Sequence, residues 1–258
     1  MATRTRLASA AVVASLLVAA VVAAVPASAV AHGTLALPGQ DPFAVKLAMT
    51  HIPRPDGSFY DSACTAALIS PTWIITAGHC FHDVNRVPVS GTVPYPTTAT
   101  LNTVDVTQNP GEVRDVAIVR QASGTDIALA QLSQPVTDVT PLALNASRPD
   151  TGTLLTLAGW GATSSINPVP ATRLSTGIVK IRTVKFAIIT VVGYFPAADT
   201  SACLYDSGAP YFTTPTGAPP RLVSVESNGP DCPHTSPETT ARVDTITSWI
   251  RTVVADLP

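Results

Sequence analysis

Three short segments hold side chains that can do chemistry together. Thr76-Ala77-Gly78-His79-Cys80 follows an apolar run that begins at Trp73, and its histidine is a side chain suited to taking a proton near neutral pH. Asp126-Ile127-Ala128-Leu129-Ala130-Gln131-Leu132 sets a lone acid at the mouth of a second apolar run. Cys203-Leu204-Tyr205-Asp206-Ser207-Gly208-Ala209-Pro210 carries a hydroxyl inside a turn-forming Asp-Ser-Gly. Each segment alone has an ordinary explanation, as a surface or core histidine, a strand start, or a turn. Their order along the chain is far more specific. A hydroxyl is a weak nucleophile that needs a base, the base needs a carboxylate to fix its tautomer, and His, Asp and Ser supply one of each.

The elements that must position these groups read as short strands. Ala66–Ile69, Trp73–Thr76, Val116–Val119, Ile127–Leu132, Leu154–Ala158, Gly177–Ile181, Ile188–Val192 and Leu222–Val225 are short runs rich in Val, Ile, Thr, Ala and Leu. Pro-Gly, Asp-Gly, Asn-Pro-Gly and Ser-Gly steps separate them. The Thr-rich segment 95–107 and the Pro/Ser-rich segment 164–170 read as loops, and a junction between two halves is expected near residues 134–155. Val243, Ile246, Trp249, Ile250 and Val253 share one face at helical spacing and predict a terminal helix.

Composition agrees with a turn-rich β protein of 258 residues. It is 46% hydrophobic and 12% charged, with net charge −2, 15 glycines and 24 prolines. That balance excludes a disordered charged tail and argues against nucleic acid as a partner. Arg4 and Arg6, the apolar run Leu7–Val25 and Pro26-Ala27-Ser28-Ala29 have the layout of a secretory signal, residues 1–29, with a retained membrane anchor as the rival reading. Export predicts a secreted, extracellular chain in which four cysteines form two disulfides, with three pairings open. His82 and His234 each follow a cysteine by two residues, but neither has a C-x-x-C partner, so no metal site is expected. His32, His51, His82 and His234 read as surface groups. Asn145-Ala146-Ser147 matches a glycosylation acceptor, a common triplet, and no acidic loop for calcium is recognisable.

With these segments in hand, the chain resembles the trypsin/chymotrypsin family of serine peptidases over essentially all of residues 30–258. The resemblance rests on Val30-Ala31-His32-Gly33-Thr34, the three segments above, Gly159-Trp160-Gly161, and the end from Pro237 through Trp249. It implies an all-β fold of two six-stranded antiparallel barrels with a C-terminal helix, the first over residues 30–140 and the second over 141–258. It further implies disulfides Cys64–Cys80 and Cys203–Cys232, and His79, Asp126 and Ser207 as catalytic residues. The oxyanion hole falls to the N–H groups of Tyr205 and Ser207. Ser201, Ser227, Asn228, Gly229 and Glu238 are the substrate-binding candidates. Val30, freed by signal cleavage after Ala29, is expected to pair with Asp206; cleavage at Ala29-Val30-Ala31 would instead leave His32 first. The implied partner is a protein or peptide substrate, with no cofactor, no nucleic acid, no membrane after signal removal, and a monomeric chain.

Several positions depart from the family pattern. Tyr205 stands where glycine is usual. Either the peptide flips and one oxyanion donor is lost, costing about 3–4 kcal/mol in the barrier, or the loop tolerates the side chain. The first outcome predicts a weak or inactive binding protein. Ser201 replaces the aspartate of trypsin-like pockets and Asn228 replaces an aromatic wall. Glu238 falls where a pocket wall normally has glycine, and would shorten the pocket, bind Lys/Arg or point to solvent. A large apolar residue and Lys/Arg both remain open as the preferred side chain.

Overall fold

The structure, a computed structural model, describes Met1, residues 29–162 and residues 164–257. The expected signal therefore lies outside the described residues except at its two ends. The short strand β1 (Thr34–Leu35) joins the second of two sheets. The first sheet contains β2 (Ala44–Pro53), β3 (Phe59–Ser70), β4 (Trp73–Thr76), β5 (Gly91–Thr92), β6 (Thr97–Leu101), β7 (Glu112–Gln121) and β8 (Ala128–Leu132). Six of these run in the order β7-β6-β2-β3-β4-β8, and β8 returns to β7, so the sheet closes into a barrel. After β9 (Ala143–Leu144) come β10 (Leu154–Gly159), β11 (Ser175–Val184), β12 (Ile188–Phe195), β13 (Pro210–Thr213), β14 (Arg221–Asn228) and β15 (Glu238–Arg242). They close in the order β11-β10-β13-β14-β15-β12-β11. The result is two closed six-stranded antiparallel barrels, and closure removes exposed strand edges.

Alternation explains why these segments are strands. In β6 the residues Thr97, Ala99 and Leu101 are buried while Thr98 and Thr100 are half-buried. This corrects the reading of segment 95–107 as loop over residues 97–101 alone, residues 102–107 lying outside the strands: threonine is β-branched and fits a pleated, half-buried surface, so a Thr-rich run with period two forms a strand. The apolar runs read from sequence all lie within strands or at their starts. β9 lies between the barrels and pairs in parallel with β14, through Ala143↔Arg221 and Leu144↔Leu222.

The helix at the end, α1 (Thr247–Val253), is shorter than its apolar pattern, because a 3₁₀ turn at Asp244–Ile246 supplies the first part. Val243 and Ile250 from this region are fully buried. Between the barrels, Phe43 meets Phe212 edge-on at 5.2 Å, a favoured aromatic geometry. Cys64 bonds Cys80 and Cys203 bonds Cys232. No helix among the described residues is long and apolar enough to cross a membrane.

Candidate active site

β4 and β8 are antiparallel neighbours in which Thr76 faces Ala128. The chain leaving β4 and the chain entering β8 therefore emerge at the same end of the first barrel. A 3₁₀ turn, Gly78–Cys80, follows β4 and carries His79, and Asp126 lies two residues before β8. Asp126 Oδ1 accepts the backbone N–H of His79 at 2.9 Å, and Oδ2 lies 2.8 Å from the ring Nδ1. The Gln121 side-chain amide donates to the carbonyls of Gly78 and Phe81, at 2.9 and 3.2 Å, and braces the turn.

Ser207 comes from the second barrel, in the loop between β12 and β13. Its Oγ lies 2.8 Å from His79 Nε2, so imidazole sits between hydroxyl and carboxylate with a nitrogen facing each. Ser227, at the end of β14, donates its hydroxyl to Asp126 Oδ2 at 2.7 Å. Burial pushes the Asp126 carboxyl up, but the hydrogen bond and charge of His79, with further hydrogen bonds from Ser227 and the His79 N–H, outweigh it. The carboxyl is held below its usual value. An ionised acceptor opposite Nδ1 fixes the tautomer that leaves Nε2 free to accept the Ser207 proton.

The serine loop is held from both sides. Thr65 on β3 donates its N–H to Ser207 O at 2.9 Å and its hydroxyl to Tyr205 O at 3.1 Å, while accepting Trp160 N–H at 3.1 Å. On the far side Gly208 N–H donates to Glu226 O, and Glu226 N–H to Ala209 O. Gly208 has φ +82°, and a Cβ there would run into Thr76 Oγ1. Tyr205 has φ +74°, the left-handed conformation a glycine would adopt, and its hydroxyl reaches Pro168 O at 3.4 Å. The tyrosine is thus accommodated, at a local cost of roughly 1–2 kcal/mol for a side chain in that region. Among the described residues the N–H groups of Tyr205 and Ser207 donate to no protein acceptor.

Asp206 is fully buried and accepts N–H groups of Gly161 at 2.8 Å and Cys203 at 2.9 Å. A Cβ on Gly161 would overlap its carboxylate. Burial raises this carboxyl well above its ordinary value against the pull of those N–H groups. Val30 is also fully buried, packed in the second barrel with Ala202 and Ala209, which flank Asp206 in sequence.

A cavity of about 410 Å³ opens at the triad and is lined by His79, Ser207, Glu226, Asn228 and Gly229 among others. One expectation about its wall is corrected, that of Glu238 in solvent. Ser201 is 1% exposed, and its Oγ accepts His234 N–H at 3.3 Å. Glu238 is neither in solvent nor on the cavity surface; it is 1% exposed, behind the wall. His82 and His234, read as surface residues, are enclosed. His82 packs against Tyr95, and His234 Nε2 lies 3.5 Å from Glu238 Oε2. Both expectations took a polar ring on a turn-rich segment to be solvated, and neither segment reveals the neighbour that covers it. Thr65, Glu226 and Tyr211 were missed altogether. Each is a polar residue inside an apolar run, which is the one signal sequence offered.

A family model described as Trypsin matches residues 30–250. The chain belongs to the trypsin family. Among similar proteins, U21-ctenitoxin-Pn1a of Phoneutria nigriventer is 24% identical over 87% of this chain and its own full length. The snake venom serine protease HS114 of Bothrops jararaca is 30% identical over 42% of each chain. The thrombin-like enzyme acutin of Deinagkistrodon acutus is 32% identical over 42% of this chain and 46% of its own. The matched segments thus span less than half the length of those two relatives.

Proposed function

We propose that this trypsin-family chain is a secreted serine endopeptidase using His79, Asp126 and Ser207. The observation that carries the reading is the pair of 2.8 Å contacts on the two nitrogens of His79. Ser207 Oγ attacks the scissile carbonyl carbon and passes its proton to His79 Nε2, while Asp126 stabilises the imidazolium. The carbonyl oxygen takes up negative charge opposite the N–H groups of Tyr205 and Ser207, which donate to no acceptor among the described residues and so suit that role. His79 returns the proton to the leaving amine. Water, deprotonated by the same imidazole, then cleaves the acyl-enzyme and restores Ser207. No cofactor enters these steps.

Cleavage after Ala29 supplies a Val30 amine as the counter-charge for Asp206. The support is a carboxylate that is fully buried and a Val30 already buried in the same barrel. Mass spectrometry of the exported chain is expected to give Val30 as the first residue; a chain starting at His32 rules this activation out. The peptidase reading is tested by fluorophosphonate labelling of protein beginning at Val30, with Ser207→Ala as control. Covalent labelling of the first alone is expected. Equal labelling, or none, favours a non-catalytic binding protein.

A further inference from the structure

The first barrel bears a basic corner that proton transfer does not use. Tyr60 on β3 is half-buried, and two guanidinium carbons lie over its ring, Arg54 at 4.6 Å and Arg86 at 5.1 Å from the centroid. Arg54 comes from the turn between β2 and β3, Arg86 from the loop that follows the His79 turn. His82 is buried and donates Nδ1–H to Asp83 O at 2.6 Å, which leaves Nε2 as the acceptor of the neutral ring. Arg86 Nη1 and the Tyr60 hydroxyl each lie 3.3 Å from that nitrogen. Tyr95 ties the same histidine to the catalytic turn, accepting His82 N–H at 3.4 Å and donating to Cys80 O. Arg86 itself has φ +65°, uncommon for a residue with a Cβ, inside a turn closed by the Asp83 carboxylate on the Asn85 and Val87 N–H groups. The guanidinium is therefore held in place while most of its five N–H donors stay free. The arginine ion pairs among the described residues are those of Arg114, Arg173 and Arg242; Arg54 and Arg86 have none. The carboxylates nearest in sequence are committed to N–H groups, Asp56 to Ser58 and Asp61 to His51, although the Arg54 charge does reach Asp56.

We infer that Arg86, Arg54 and Tyr60 form a carboxylate subsite, which takes an aspartate or glutamate side chain of the substrate on the leaving side of the cut bond. The inference rests on the peptidase reading and concerns the part of the substrate that departs. Arg86, Tyr60 and His82 line the cavity at Ser207. His79 hands its proton to the leaving amine from the rim of the first barrel, so the departing segment runs along that barrel's wall. A guanidinium presents paired N–H groups in the fork that a carboxylate matches, and the ring beneath it holds the fork flat. The charges on the cavity wall are divided between the barrels: Arg86 on the first, Glu226 and Asp231 on the second. An acidic side chain is therefore repelled from one wall and drawn to the other. The chain as a whole carries net charge −2, so this attraction is a property of the corner.

Ser207→Ala protein beginning at Val30 separates binding from catalysis. Its affinities for Ala-Glu-Glu-Ala amide and for the neutral isostere Ala-Gln-Gln-Ala amide are measured by calorimetry near neutral pH, in low and in high salt. Both peptides are amidated, so side chains alone supply the carboxylates. Expected are a glutamate peptide bound at least about fivefold tighter at low salt, and a preference that shrinks as salt rises. Arg86→Gln, checked for an unchanged melt, is expected to bring the two peptides to equal affinity. Arg54→Gln, at an exposed position, is expected to reduce the difference and gives the readout should Arg86→Gln lower the melt. Arg251→Gln removes the same charge from α1 and is expected to leave the preference as it was. Equal affinities, no binding of either peptide, a preference that survives Arg86→Gln in folded protein, or an equal loss in Arg251→Gln overturns the inference. Active protein that cleaves glutamate and glutamine versions of one peptide with equal kcat/KM overturns it as well. A glutamate preference with no Ser207-dependent cleavage of any amide supports the subsite and counts against the peptidase reading alone.

Discussion

The two barrels differ in what they bury. The interior of the first is apolar, with residues such as Val45, Leu47, Leu68, Ile74 and Leu129 fully enclosed, and its buried polar groups are threonines, a serine and His82. The second encloses Asp206, Glu226, Glu238 and Arg242. The difference separates two tasks. The first barrel is a dry frame whose strand ends present His79 and Asp126 at its rim, where a base can exchange protons. The second places charge inside a low-dielectric wall, where a carboxylate discriminates strongly among partners but is costly when unpaired.

Asp126→Asn would break the comparison on the side of the first barrel. It removes the acceptor that fixes the tautomer, so kcat is expected to fall by about 10⁴ while the melting temperature barely moves. A loss under about tenfold in steady-state kinetics would show that the rim does not set the tautomer. Replacing Cys64 and Cys80 together by serine opens a loop closed over 16 residues. In urea unfolding this is expected to cost about 3 kcal/mol.

The second barrel is tested by smaller changes. Tyr205→Gly relieves a left-handed tyrosine and is expected to leave kcat/KM within about threefold and to raise stability by roughly 1 kcal/mol. A hundredfold gain in activity would mean that the tyrosine does impair the oxyanion site. The smallest effect concerns pH. Folding raises the Glu226 carboxyl above its unfolded value of 4.5, so the folded state binds that proton more tightly. Its contribution is fully present below that value and is lost as pH climbs toward the raised folded value. Denaturation across this window is expected to show wild-type stability falling relative to Glu226→Gln. A parallel pair of pH curves would place Glu226 in an ordinary solvated environment.

Much of this molecule was legible in its residues, for reasons that differ from place to place. β4 was read at its full length because Trp73–Thr76 is buried on both faces and bounded by turns. β6 was hidden because threonine serves loops and strands alike. β2 went unread because Lys46, Thr50 and His51 interrupt its apolar residues. The three chemical side chains stood out because each sits beside a recognisable strand or turn. Glu226, Tyr211 and Thr65 did not, since a polar residue in an apolar run looks the same whether it faces water, a partner or a cavity.

Local chemistry, then, belongs to the sequence: which groups can act as nucleophile, base and carboxylate, where strands and turns fall, and how family motifs order the chain. The tertiary structure decided the meeting of groups far apart along the chain. Two closed barrels put Ser207 against His79, turned Ser227 onto Asp126, and buried Glu238 behind Glu226 instead of in solvent. The reason is physical. Propensity and periodicity act over a few residues, whereas burial and hydrogen-bond partners depend on neighbours that only packing brings together.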